Sequence, residues 1–269
     1  MTPKKSLGQN FLTSIPARIA IVNAGELTKD DVVLEIGPGR GFLTRGLLDT
    51  GVKVVALEKD RDLIPVLTDT FASEIKTGQL VVVEGDALLF EPSTFYPPLS
   101  TYKLIANIPY YITGAILSRY LSHKNSPSKM VVLVQKEVAE RVVARDKKES
   151  ILSLSVKVYG EPKLVYRVNK GSFNPIPSVD SAVLQINNIS RKNFKNQYHE
   201  EMFFKTLHAG FAHKRKFLIS NLLEVFKENK NREEFQKLFE ELKISEKVRA
   251  EDVPLDIWLQ ISSFLCIFH

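Results

Sequence analysis

Three glycines at alternate positions, Gly37, Gly39 and Gly41 in "LEIGPGRGFLT", follow one short apolar run and precede a helix-like stretch. Glycines at such a turn let the backbone bend tightly and come close to a ligand. No Gly-Lys-Ser/Thr follows, which excludes a P-loop. A dinucleotide fingerprint would want glycine at 42, where this chain has Phe42. The pattern suits a nucleotide cofactor that lacks a pyrophosphate. The next apolar run ends in Glu58, about twenty residues on, the usual place for a carboxylate that accepts from ribose hydroxyls. The third ends in "EGDA", so Asp86 can reach an adenine amino group from the neighbouring strand end. Adenosine without phosphate points to S-adenosylmethionine as the cofactor.

A fourth apolar run ends in Asn107-Ile108-Pro109-Tyr110-Tyr111. Strand ends of this kind face the crevice where ligands bind in open α/β sheets. The chemistry that suits these residues is methylation of an exocyclic adenine amine. Its lone pair is delocalised into the ring, and two acceptors on its N–H groups favour the pyramidal, nucleophilic form. The Asn107 side-chain oxygen and the Ile108 carbonyl can supply those acceptors. Pro109 has no N–H and fixes φ, which holds the turn rigid. Tyr110 offers a ring face to a base extruded from its stack. No strong general base is needed, in keeping with the lack of His or Cys in the motif. Tyr111 is assigned no role and reads as a core aromatic.

These residues need a scaffold, and the pattern from residue 14 to about 187 supplies one. Runs at 31–37, 52–57, 79–85, 102–107 and 129–135 are short and rich in Val, Ile and Leu, as for strands buried on both faces of a parallel sheet. Amphipathic pieces such as 41–49 and 60–71 serve as the crossovers of βαβ units. Runs at 163–168 and 181–186 bracket the Pro-rich "SFNPIPS" and read as an antiparallel pair closing the sheet edge. Helical spacing alone follows, near 199–211, 214–226, 232–242 and 254–264. The boundary is placed near residue 190. The expected fold class is α/β, a Rossmann-like S-adenosylmethionine-dependent methyltransferase sheet (1–190), with a small all-helical C-terminal domain (191–269).

Composition limits the partners. The chain of 269 residues has a net charge of +6, which suits a polyanion without proving one. Residues 188–220 hold seven Lys/Arg against two Glu, whereas 221–269 hold seven against ten acids. Arg191, Lys192, Lys195 and the cluster Lys214, Arg215, Lys216 are the candidates for RNA phosphates. A single cysteine, Cys266, excludes internal disulfides and Cys-based metal sites, and reads as packing. No metal is expected. "MTPKKSLGQNF" lacks the apolar core of a signal peptide, and no apolar run approaches bilayer length. A cytoplasmic, monomeric protein is expected.

In order along the chain, "QNFL" (9–12), "EIGPGRG" (35–41), "GD" (85–86), "NIPYYI" (107–112), "LVQKEVAERV" (133–142), "FNPIPSVDSAV" (173–183), "FAHKRKFLISNL" (211–222) and "RAEDVPLDIW" (249–258) resemble the ribosomal RNA adenine N6-dimethyltransferases. The resemblance is closest to the bacterial branch that dimethylates two adjacent adenines near the 3′ end of 16S rRNA in the small (30S) subunit. It implies that the Gln-Asn-Phe-Leu segment folds over the cofactor. Asn10 and Leu12 thereby join Gly37, Gly39, Glu58, Asp86 and Asn107 in the cofactor set. It also implies that the target base stacks between Tyr110 and Phe173, the latter presented by a loop stiffened by Pro175 and Pro177. One departure is visible: many members carry Tyr-Gly-Arg before "LSV", where this chain has "KKESILSLSV" (147–156). The runner-up is the related 23S rRNA methyltransferase of macrolide resistance. A different class is a non-catalytic RNA-binding, assembly or transcription factor on the same fold, against which the intact Gly37, Glu58, Asp86 and Asn107 argue.

Overall fold

The computed structural model describes residues 3–4, 7–94, 101–228 and 230–266. Its strands, in chain order, are β1 (Phe11–Leu12), β2 (Val32–Ile36), β3 (Lys53–Glu58), β4 (Leu80–Glu84), β5 (Lys103–Asn107), β6 (Lys129–Gln135), β7 (Glu161–Val168), β8 (Phe173–Asn174) and β9 (Ser181–Asn187). The helices are α1 (Ile15–Ala24), α2 (Phe42–Leu48), α3 (Leu63–Thr70), α4 (Ala72–Lys76), α5 (Thr113–Ser122), α6 (Lys136–Val142), α7 (Ile151–Lys157), α8 (Gln197–Gly210), α9 (Leu218–Phe226), α10 (Arg232–Glu241) and α11 (Leu255–Leu265).

Seven strands form one sheet in the order β4-β3-β2-β5-β6-β9-β7. The five from β4 to β6 are parallel; β9 runs antiparallel to β6, and β7 antiparallel to β9. The antiparallel pair at the edge is as the sequence indicates. β2, β3 and β6 are buried along nearly their whole length, which is why they read as unbroken apolar runs rather than alternating ones. The chain winds outward from β2 to β3 and β4, then returns to start again at β5 on the other side. The carboxyl ends of β2 and β5 therefore flank a topological switch point.

The core around this sheet includes Ile21, Val33, Leu47, Val54, Leu67, Phe71, Ile105, Val131 and Leu133. Each such side chain contributes about 1.5–3 kcal/mol by leaving water. Helix α1 adds Ala17, Ile21 and Ala24; Ser14 caps its start by accepting from the Ala17 N–H, with Pro16 in the first turn. α3 begins at Leu63, later than its apolar spacing suggests, because Asp60 and Asp62 form a turn in which the Asp60 N–H donates to Glu58.

By contacts, residues 1–140 and 160–190 form one compact unit, and residues 141–159 with 191–269 form another. The chain passes between the units three times, rather than once near residue 190. In the second unit Phe203, Leu207, Leu222, Phe226, Phe235, Phe239 and Trp258 are buried. Tyr159 and Arg191 both bond the buried Glu200. The "KKESILSLSV" stretch is ordered by a reciprocal cap between Ser150 and Ser153 at the start of α7, and by ion pairs from Lys148 to Asp252 and from Lys157 to Glu149. α9 begins at Leu218, not near 214. Asn221 Nδ2 reaches back to the carbonyls of Gly210 (2.6 Å) and His213 (3.1 Å), which holds 211–217 as a non-helical connection. Among the described residues, no helix is long and apolar enough to cross a membrane.

Candidate active site

At the switch point lies a cavity of about 650 Å³. Its walls bring together Asn10, Leu12, Gly37, Gly39, Glu58, Asp86, Asn107, Ile108, Pro109 and Tyr110. All are residues singled out above, drawn from five separate stretches of chain.

The glycine turn after β2 has positive φ at Gly37, Gly39 and Gly41. A Cβ on Gly37 would meet nothing nearer than the Asn107 carbonyl oxygen at 3.8 Å, so this backbone lies open to whatever fills the cavity. The Gly39 N–H donates to Glu58 Oε2 at 3.0 Å, and the Asp60 N–H to Oε1 at 2.8 Å. Glu58 is only 6% exposed. Burial pushes its pKa above the usual carboxylate value, against the opposing pull of those two N–H groups. Each oxygen retains acceptor capacity for a hydroxyl. Asp86 pairs with Lys59 Nζ at 2.8 Å and accepts from the Leu88 N–H at 2.9 Å; both contacts hold it below the usual carboxylate range.

The segment ahead of α1 closes one side as a strap. Lys4 Nζ reaches Asp60 (2.5 Å) and Asp62 (2.6 Å), and Gln9 Nε2 donates to the other Asp60 oxygen at 2.8 Å. Burial opposes charge on Asp60, yet Lys4 and Gln9 hold its pKa below the usual range. Phe11 and Leu12 pair with Asn174 and Phe173 in a second, two-stranded sheet, and Thr13 N–H donates to Ser172 O at 2.8 Å. The Arg40 guanidinium lies over the Phe11 ring, 4.8 Å from its centroid. This latch of Lys4, Gln9 and Asp60 is absent from the sequence reading. Its partners lie more than fifty residues apart, and only the fold joins them.

Opposite the glycine turn, Asn107 Nδ2 donates to the Asn10 carbonyl at 3.1 Å. Among the described residues no group donates to its Oδ1, the other arm of the amide. Pro109 sits at φ −57°, and residues 110–112 make a 3₁₀ turn. Tyr110 is half buried, its hydroxyl sharing a 2.6 Å hydrogen bond with Ser181 Oγ on β9. Burial raises its pKa, Ser181 opposing, so the phenol stays neutral. Tyr111 is not a core residue: it is 63% exposed and stands at the cavity rim. A 3₁₀ turn sends successive side chains about 120° apart, so the two tyrosines leave the backbone in different directions.

Phe173 is not brought to the cavity wall. It is 3% exposed and packed in the core with Leu12 and Val168, while Asn174 reaches the wall instead. Pairing with β1 turns the Phe173 ring inward, so the stacking face implied by resemblance is not offered. Of the basic candidates, Lys192, Lys195, Lys214 and Arg215 are exposed. Arg191 is committed to Glu200, and Lys216 pairs with Glu224.

The fold and this crevice are those of a Rossmann-like, S-adenosylmethionine-dependent methyltransferase. The solved dimethyladenosine transferase of Plasmodium falciparum superposes with a TM-score of 0.79 at 27% identity, covering 93% of this chain and 95% of its own. The 23S rRNA methyltransferase ErmE shares the fold at a TM-score of 0.78 and 24% identity, over 96% of this chain and all of its own. The sequence narrows the class further. The family model of ribosomal RNA adenine dimethylases matches residues 1–266, and the chain belongs to that family. It is similar to the ribosomal RNA small subunit methyltransferase A of Fusobacterium nucleatum, 35% identical over 260 residues (96% of each chain). The protein of the same name from Lactococcus lactis is 38% identical over 270 residues, 97% of this chain and 90% of its own.

Proposed function

We propose that this protein transfers methyl groups from S-adenosylmethionine to N6 of two adjacent adenines in the 3′-terminal hairpin of 16S rRNA, within the small (30S) ribosomal subunit, giving N6,N6-dimethyladenosine. The observation that carries the chemistry is the set of the Asn107 amide. With Nδ2 held by the Asn10 carbonyl, its Oδ1 is the acceptor left for an incoming amine. The small-subunit relatives, similar over almost their full length, favour this RNA over 23S rRNA.

The cavity fits the cofactor. Its volume lies in the range of small-molecule sites, and the open backbone of Gly37 permits close approach. Glu58 would accept from ribose hydroxyls, Asp86 from an adenine amine, and the strap residues Asn10 and Leu12 would close over the ligand. When bound there, S-adenosylmethionine supplies an electrophilic methyl group on sulfur. Asn107 Oδ1 and the Ile108 carbonyl would hold the two amine hydrogens before the first transfer and the one that remains before the second, which turns the nitrogen lone pair out of conjugation. The proton displaced from nitrogen at each transfer leaves to solvent. Pro109 keeps these acceptors in register. Tyr110, anchored at Ser181, presents its ring to the flipped base. Lys192, Lys195, Lys214 and Arg215 supply phosphate contacts.

Unmethylated 30S and 50S particles incubated with labelled cofactor, followed by nucleoside analysis, test this reading. N6,N6-dimethyladenosine in 16S rRNA is expected; label confined to 23S rRNA would overturn the substrate assignment.

A further inference from the structure

We propose that Tyr111 is the platform on which the nucleotide adjoining the target adenine stacks, outside the cavity that receives the target itself. The inference rests on the RNA-methyltransferase reading above and deepens it.

The Tyr111 ring is 63% exposed and stands at the rim of the cavity. This ring belongs to the cavity wall, next in sequence to the ring proposed to face the flipped base. The 3₁₀ turn divides the two: Tyr110 turns in to Ser181, Tyr111 turns out. RNA that delivers one base into the cavity must leave the next base outside it, unstacked from the partner it has lost. Tyr111 stands where that base needs a new π-face, and stacking on an aromatic ring is open to any base.

The ring is also held in place. Gly8, at φ +58°, runs its backbone against one edge, so close that a Cβ there would lie 3.1 Å from both Cδ1 and Cε1 of Tyr111. A platform fixed in advance loses little freedom when a base settles on it. Lys59, more than half exposed, also lines the cavity, and its pairing with Asp86 favours its charge.

The competing role is structural: Tyr111 could serve only to pin the strap through Gly8. Three variants, Tyr111→Ala, Tyr111→Leu and Tyr111→Phe, separate the two. Each is measured for KM toward unmethylated 30S particles, for cofactor affinity by calorimetry, and for melting temperature. Stacking predicts that Tyr111→Ala and Tyr111→Leu raise KM for the particle roughly tenfold, with cofactor affinity held, and that Tyr111→Phe restores the wild-type KM. An unchanged KM in Tyr111→Ala overturns the proposal. So does a loss of cofactor affinity as large as the loss toward RNA, which would mark a strap pin. A wild-type protein that methylates no particle at all would instead defeat the reading beneath, and this inference with it.

Discussion

Asn107 and Asn10 lie 97 residues apart in sequence, yet the side-chain amide of the first donates to the backbone carbonyl of the second at 3.1 Å. That bond sets which end of the Asn107 amide is available. A carbonyl can only accept, so it takes Nδ2 and leaves Oδ1 for the substrate. The strap therefore does two things at once: it walls one side of the cavity and orients the group proposed to activate the amine.

Asn107→Ala removes both the Oδ1 acceptor and the bond to the strap, and is expected to lower single-turnover methyl transfer about 10²- to 10³-fold, the usual cost of losing one preorganised polar group at a reacting centre. Sedimentation with unmethylated 30S particles should show binding retained. Asn107→Asp probes the orientation separately, because a carboxylate facing the Asn10 carbonyl puts two acceptors together and repels the strap. Full methyl transfer by the alanine variant would remove Asn107 from the mechanism.

What could be read from the sequence follows how local each signal is. Strands β2 to β6 declare themselves because burial on both faces leaves unbroken apolar runs, and Glu58 and Asp86 fall at strand ends that spacing alone locates. β1 and β8 are two residues each, too short to carry a period, and they exist only because the strap and the Pro-rich loop meet. The same pairing decides that Phe173 turns inward, so its burial was invisible in "SFNPIPS". Tyr110 and Tyr111 look alike in sequence, and the sense of the 3₁₀ turn separates them. The Asp60 latch depends on Lys4 and Gln9 arriving from a distant stretch with little periodicity of its own. Residues 141–159 group with the helical unit through contacts that lie far along the chain.

Glu35, in the middle of β2, gives a pH-dependent prediction. It is 1% exposed, and among the described residues neither carboxylate oxygen has a hydrogen-bond partner. Burial pushes its pKa from 4.5 up to about 8; the nearby Thr44 hydroxyl opposes the shift, and the Glu58 charge adds to it. The folded state therefore holds a proton that the unfolded chain releases near pH 4.5. Stability from this group is complete below that pH, declines as pH rises, and is gone above about 8. Denaturant unfolding of wild type and Glu35→Gln should diverge across that window, with the variant the more stable by roughly a few kcal/mol on the alkaline side. A constant difference at every pH would show that Glu35 titrates alike in the folded and the unfolded chain.

Lys214 and Arg215 lie on the exposed connection between α8 and α9, whereas Lys216 is paired with Glu224, which His213 also approaches at 3.2 Å. Free cations release counterions from RNA; paired ones have less to offer. The double variant Lys214→Ala/Arg215→Ala is expected to weaken 30S binding and to reduce the slope of log affinity against log salt by about one to two. Lys216→Ala should change that slope less. Equal effects from the single and the double variant would mean that the Glu224 pair opens on binding.

Phe173 decides between two uses of one ring. Packed with Leu12 and Val168, it is part of the hydrophobic core, and Phe173→Ala should cost about 3–5 kcal/mol of stability through lost burial and the cavity left behind. Phe173→Leu keeps most of the volume and should unfold much closer to wild type. The methyl-transfer rate then discriminates. A core residue predicts that the leucine variant, well folded, transfers methyl groups at nearly the wild-type rate. A stacking residue predicts the opposite: an aliphatic side chain restores the melting temperature but not the rate, since it offers no π-face to the base. Fast transfer by a stable Phe173→Leu variant would leave Tyr110 as the ring that receives the target.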